Sequence, residues 1–285
     1  MLNLQRESRP VEELKHQGTL VLIGGAEDKK GDKKILRRFV ELAGGSDARI
    51  LVLATATRKT HEAGVRYCTL FRELGAKEAL ELPIYTRLDA NNIKYVRYMS
   101  EVTGVFFTGG NQITLTSILG GTQFLRALQD AYVRGATIAG TSAGASAISR
   151  HMIMTGAKGV SPTKGMASIA AGLDLLHNMV VDQHFGARRR IGRLLTVVAH
   201  NPFLLGVGID EDTAIIISPD NNLEVIGRRS VTILDGTNIS YSNVSYVEGN
   251  QMPLCIYDVK MHLLLEGCTF DILRRIPMTP PAAFD

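Results

Sequence analysis

Only three cysteines occur in the 285 residues, Cys68, Cys255 and Cys268. They lie far apart, are odd in number and form no C-x-x-C pair, so neither a zinc site nor a disulfide framework is indicated and no metal is expected. No apolar run reaches the 18 residues that a membrane-spanning helix needs. Residues 1–18 are polar and charged, unlike a signal peptide. These absences lead us to expect a cytoplasmic chain in a reducing compartment, with no membrane partner. The net charge is only +4, and the run Lys29-Lys30-Gly31-Asp32-Lys33-Lys34 carries an acid inside it. That run suits a solvated helix entry, and without interleaved aromatics it leaves no footprint for nucleic acid. Gly24-Gly25-Ala26-Glu27-Asp28 is glycine-rich but matches neither G-x-G-x-x-G nor the Walker pattern. No nucleotide or other cofactor is expected.

What is present is material for a large core: 45% of residues are hydrophobic and 21% charged. Thr19–Ile23 is a continuous apolar run ended by two glycines, as suits a strand buried on both faces. Leu36, Phe39, Val40 and Ala43 follow at helical spacing, then Arg49–Ala54 as a strand and Tyr67, Leu70, Phe71 and Leu74 as a helix. Val105-Phe106-Phe107 and a helical stretch from Thr122 to Arg134 continue the alternation, which implies right-handed βαβ units and a parallel sheet. Beyond Ile209 short β-like runs separated by turn residues predict antiparallel strands added to that sheet. No linker divides the chain, so a polar arm over 1–18 and one α/β catalytic domain over 19–285 are expected.

Gly140-Thr141-Ser142-Ala143-Gly144 lies between the strand-like Ala136–Ala139 and the helix-like Ala145–Ile148. A G-x-S-x-G at a strand-to-helix junction is a nucleophile elbow: the turn is too tight for large flanking residues and lifts the serine above the sheet's carboxyl end. The N–H of Ala143, at a helix start, can then serve an oxyanion. The competing reading is a small-residue turn that lets strand and helix pack closely. Thr108-Gly109-Gly110-Asn111-Gln112 offers a second donor at Gly110, or is simply a turn in need of glycine.

A serine nucleophile needs a base and an orienting acid. Of the seven histidines, His184 follows the strand-like Met179-Val180-Val181 and would emerge at a strand end, where ligands bind in open α/β sheets. Gly206–Ile209 leads to Asp210-Glu211-Asp212, and alternation sends Glu211 away from its neighbours. If Glu211 faces the site, the order is Ser, His, acid. The α/β-hydrolase order, Ser, acid, His, would instead need Asp174. Beside His184, Arg188, Arg189, Arg190 and Arg193 crowd the expected start of a helix near Ala187, where the dipole favours anions. They form either a comb for substrate carboxylates or a basic face paired with the protein's own acids.

Taken together, these segments resemble the cyanophycinase family, serine peptidases related to aspartyl dipeptidase. The matching pieces are Leu22–Asp28, Phe107–Gln112, Gly140–Ser146, Asp182-Gln183-His184-Phe185 with its arginines, and Gly208–Ala214. The resemblance implies a flavodoxin-like sheet of the class I glutamine-amidotransferase type and a homodimer. It also implies a triad of Ser142, His184 and Glu211, with Gln112, Asp182, Gln183, Arg188, Arg190 and Arg193 lining a substrate groove. The implied substrate is cyanophycin, a poly-aspartate bearing arginine on each β-carboxyl, cut to β-Asp-Arg dipeptides. The rival readings are a dipeptidase of the same family, a lipase-like esterase at odds with the triad order, and a non-catalytic binding protein on the same fold.

Overall fold

The protein is described from a computed structural model covering residues 18–57, 60–246, 248–249 and 251–278. The expected N-terminal arm, apart from Gly18, lies outside the described residues. The first half alternates strands and helices, with β3 and α3 beyond those predicted: β1 (Leu20–Ile23), α1 (Lys34–Leu42), β2 (Arg49–Leu53), α2 (Thr60–Glu73), β3 (Glu78–Glu81), α3 (Ile93–Arg97) and β4 (Gly104–Phe107). Then come α4 (Gln112–Leu119), α5 (Gln123–Val133), β5 (Thr137–Thr141) and α6 (Ala143–Ile148). The second half holds β6 (His151–Gly156), β7 (Ala167–Ala171), β8 (Met179–Gln183), α7 (Ile191–His200), β9 (Leu205–Ile209), β10 (Thr213–Ile217) and β11 (Asn222–Gly227). It closes with β12 (Val231–Asp235), β13 (Tyr241–Ser242), β14 (Ile256–Tyr257), β15 (Lys260–Leu264), β16 (Thr269–Asp271) and β17 (Ile276–Pro277).

Strands β1, β5, β4, β2 and β3 are parallel neighbours in a nine-stranded sheet, and antiparallel β10, β11, β16 and β17 extend it beyond β1. The architecture is thus the expected mixed α/β fold. Two placements differ from the sequence expectation: β12 and β15, expected as antiparallel additions to the central sheet, lie outside it, and β8 and β9, parallel to each other, do not join the central sheet either. With antiparallel β12 and β15 they form a second, four-stranded sheet in the order β15-β12-β9-β8. Their continuous apolar character says only that both faces are buried, not which sheet buries them.

Packing explains the second layer. On one face of the central sheet, α1 and α2 deliver Phe39, Tyr67 and Phe71 onto Phe106, with ring centroids 4.6–5.9 Å apart. Each such aromatic pair adds about 0.5–1.5 kcal/mol beyond its area burial. The other face meets α4, α5 and α6, and also the inward residues Val181, Val207, Ile209, Val231 and Ile233 of the second sheet. Helix α7 covers that sheet's outer face through Leu194, Val197 and Val198, against Val180 and Leu234. The glycine- and serine-rich stretch 154–172 contributes to the antiparallel hairpin β6–β7.

Candidate active site

Strand β5 is buried along its length and ends at Thr141. Ser142 then turns with φ 53° and ψ −115°, a conformation that L-residues rarely adopt and that elsewhere marks functional strain. The turn is anchored to the sheet by the Ser142 N–H, which donates to the Ile23 carbonyl at 2.9 Å. It also requires glycine at position 140, where a Cβ would sit 2.5 Å from the backbone of Gly144. Ser146, one helical turn on, donates its hydroxyl to the Val181 carbonyl at 3.1 Å and so ties α6 to β8.

His184 follows the last residue of β8 with φ 49° and donates its N–H to the Gly24 carbonyl at 2.8 Å. That contact carries the imidazole from the second sheet across to the first. Gly25 makes room for it: at φ +97° a Cβ there would lie 2.5 Å from the ring atoms Cε1 and Nε2. Nε2 lies 2.9 Å from Ser142 Oγ, and Nδ1 lies 2.7 Å from Glu211 Oε1. The carboxylate accepts the Nδ1 proton, which leaves Nε2 as the acceptor for the serine hydroxyl. Burial moves the His184 pKa below its usual 6.5; the hydrogen bond donated to Glu211 opposes this, and the charges of Arg188 and Arg190 reinforce it. The neutral ring, the form able to take a proton, is thereby favoured.

The three consecutive acids part ways. Asp210 accepts from the Gly186 N–H at 2.7 Å and the Ser230 hydroxyl at 2.8 Å. Asp212 accepts from the Asp28 N–H at 2.8 Å and pairs with Arg228 at 3.2 Å. Glu211 alone turns to His184. Asp174 faces Arg150 and His177 instead, at 3.5 and 3.3 Å.

Of the expected oxyanion donors, Ala143 is the first residue of α6, where helix N–H groups lack intrahelical partners. Gly110 follows Gly109, where a Cβ would fall 3.8 Å from Ser142 Oγ. Gln112 donates to the carbonyls of Ile153 and Met154, each at 3.0 Å, tying α4 to β6.

The arginines divide. Helix α7 begins at Ile191 rather than near Ala187, because Gly186–Arg189 form turns with Arg189 at φ 51°. Arg188 is exposed beside His184. Arg190 and Arg193 are buried and converge on Asp182, whose side chain is 0% exposed. Arg193 grips both carboxylate oxygens, with Nε at 2.6 Å from Oδ2, and Arg190 Nη1 reaches Oδ1 at 3.0 Å. Arg190 also donates to Gln183, through its carbonyl and its side-chain oxygen. Burial pushes the Arg190 pKa down to about 10, partly offset by Asp182. Its Nε is buried without a hydrogen-bond partner among the described residues.

One buried group had no assigned role in the sequence reading. Glu27 accepts from Thr141 Oγ1 at 2.7 Å, accepts the Tyr67 hydroxyl, and pairs with Lys29 at 2.7 Å, directly behind the elbow. Its partners are 114 and 40 residues away along the chain, so no local pattern announces them. Among the described residues no cluster of three or more His, Cys, Asp or Glu is placed to hold a metal ion, and no helix is long and apolar enough to cross a membrane. A separate cleft of about 490 Å³ opens at the amino ends of β2 and β3, beside Arg49, Glu78 and Arg97, at the opposite end of the sheet from Ser142.

Comparison with known proteins follows the same lines. The profile of Peptidase family S51 matches residues 20–225. A cyanophycinase from Geminocystis herdmanii is 38% identical over 263 residues, covering 92% of this chain and 96% of its own. One from a Nostoc species is 39% identical over 258 residues, covering 90% and 86%. The crystal structure of a peptidase from an acI-B1 Actinobacterium, 21% identical, superposes with a TM-score of 0.63 over 90% of this chain and 98% of that one, a likeness of fold.

Proposed function

The chain belongs to peptidase family S51 and is a serine-type peptidase, and from that premise we propose that it hydrolyses cyanophycin to β-Asp-Arg dipeptides through an acyl-enzyme on Ser142. The observation that carries the site assignment is the unbroken chain of hydrogen bonds from Ser142 Oγ through the His184 ring to Glu211, at 2.9 and 2.7 Å. The substrate assignment rests on the curated cyanophycinases, similar over nine-tenths of the chain.

In this mechanism His184 Nε2 takes the hydroxyl proton as Ser142 Oγ attacks a backbone carbonyl of the polymer. Glu211 holds the imidazole in the tautomer that makes this possible and stabilises the imidazolium that results. The N–H groups of Ala143 and Gly110 receive the tetrahedral oxyanion. His184 then returns the proton to the departing amine, and a water molecule, deprotonated by the same nitrogen, releases the acyl group from the serine.

Cyanophycin presents a carboxylate and a guanidinium on every repeat. The exposed Arg188 is suited to a substrate carboxylate. Asp182 and Gln183 hold Arg190 in place, Arg193 anchors Asp182, and Gln112 ties α4 to β6. Three unpaired cysteines suit a reducing compartment, and the reading places a homodimer in the cytoplasm.

The test is incubation of insoluble cyanophycin with the native protein and with Ser142→Ala, with soluble products identified by mass spectrometry. We expect β-Asp-Arg from the native protein and a loss of at least roughly 10⁴-fold in kcat for the variant. No release by either protein, with cleavage of aspartyl dipeptides instead, overturns the substrate. Equal release by both overturns the nucleophile.

A further inference from the structure

The loop Gly24–Asp28, between β1 and α1, meets the segments that carry all three members of the triad. Gly24 accepts the His184 N–H at 2.8 Å, and Gly25 leaves the space that the imidazole occupies. The Gly25 carbonyl accepts the N–H of Asp212, the residue after Glu211, at 2.9 Å. Glu27 then reaches the elbow. Its Oε2 accepts Thr141 Oγ1 at 2.7 Å, and its Oε1 takes both the Tyr67 hydroxyl and the Lys29 ammonium. Glu27 is 4% exposed, so these contacts are made out of water. Burial and the Glu27 charge push the Tyr67 pKa well above its usual 10, which keeps that hydroxyl a donor. The loop turns with φ 97° at Gly25 and 51° at Ala26, and the elbow it meets has φ 53° at Ser142. Strained backbone of this kind persists only where its surroundings over-determine it.

We propose that this loop is the jig that sets Ser142 against His184, and that Glu27 is its positioning residue. Strands β5 and β8 belong to different sheets, so no strand pairing fixes the distance from the serine to the ring. The Ser146 hydroxyl links α6 to β8. The loop supplies the link at the residues that adjoin the serine and the histidine. Thr141 directly precedes Ser142, so tying its hydroxyl to Glu27 ties the elbow to the same short loop that holds His184. Tyr67 and Lys29 act on the other oxygen and keep the carboxylate from turning away from Thr141. Glu27 thus acts through Thr141 rather than on the reacting atoms. The assignment rests on the reading of Ser142, His184 and Glu211 as a triad, and not on the substrate.

The test is the rate at which a fluorophosphonate labels Ser142, followed by intact mass. Ser142 Oγ attacks phosphorus, fluoride leaves and His184 Nε2 takes the hydroxyl proton, so the rate reads the register of the two residues without any peptide substrate. Thr141→Val keeps the shape and removes the donor. Its maximal rate, kinact, should fall about tenfold with KI unchanged, while Thr141→Ser should stay within about twofold of native. Thr137→Val is the control: it removes a hydroxyl that donates to the Leu42 carbonyl at 2.9 Å, at the other end of the same strand. It should melt lower yet label at the native rate. Tyr67→Phe withdraws a second donor from Glu27 and should slow labelling; joined to Thr141→Val it should add nothing, because both act through one carboxylate. Circular dichroism melting identifies a variant that fails to fold, and Tyr67→Phe keeps the test open if Thr141→Val does. A native chain unlabelled at Ser142 overturns the triad reading, and the inference with it. Native labelling with Thr141→Val equally fast, with Thr141→Ser as slow as Thr141→Val, or with Thr137→Val slowed as much, overturns the positioning role alone.

Discussion

Removing the Asp182 carboxylate should destabilise the protein far more than deleting its whole ionic cluster. Asp182 is fully buried and pairs with two buried guanidinium groups, Arg190 and Arg193, with side chains 9% and 7% exposed. Asp182→Ala leaves two like charges facing each other out of water. Breaking a buried pair in this way costs about 3–5 kcal/mol. At roughly 2–4 °C per kcal/mol for a chain of this size class, the melting temperature should fall by about 10 °C. The triple replacement Asp182→Leu, Arg190→Met, Arg193→Met carries no stranded charge and should lie within about 2 kcal/mol of the native protein. The assay is urea unfolding followed by circular dichroism, at two salt concentrations because buried pairs are little screened. A loss below about 1 kcal/mol for Asp182→Ala, or a triple variant no more stable than the single one, would refute the reasoning.

Three further outcomes follow from the His184 environment. Burial and the nearby Arg188 charge both lower its pKa, and turnover needs the neutral ring, so kcat/KM should rise with pH through a midpoint below 6.5. Arg188→Gln removes a lowering influence and should move that midpoint upward in a pH–rate profile; an unmoved or falling midpoint contradicts this. Gly25→Ala places a methyl group 2.5 Å from the imidazole. It should cut kcat by about 100-fold or more by tilting the ring off Ser142, and steady-state kinetics giving native kcat would show that the ring is not held there.

Ser142 was legible because an elbow is a local device: glycine spacing, a preceding apolar strand and a following helix all sit within a dozen residues. His184 was legible for the same reason, at the end of an apolar run. Glu211 could be separated from Asp210 and Asp212 only conditionally, since strand alternation gives the opposition but not which side faces the serine. Their distinct partners, Ser230 and Asp28, come from distant segments. The alternating pattern gave the parallel strands but not the exile of β8 and β9 to a second sheet, which depends on three-dimensional packing with Val231 and Ile233. The arginine-rich turn shows the same boundary. Its charge was plain, yet the burial of Arg190 and Arg193 against Asp182 needed the fold.

The two-sheet construction also orders events during synthesis. Ser142 stands on the central sheet, whose parallel strands are complete once β5 has emerged, whereas His184 and Glu211 arrive some 40 and 70 residues later on strands of a different sheet. Until β8 and β9 exist and dock, the serine has neither of these hydrogen-bonded partners. An incomplete chain therefore lacks the hydrogen bond between Ser142 and His184 that joins the two layers.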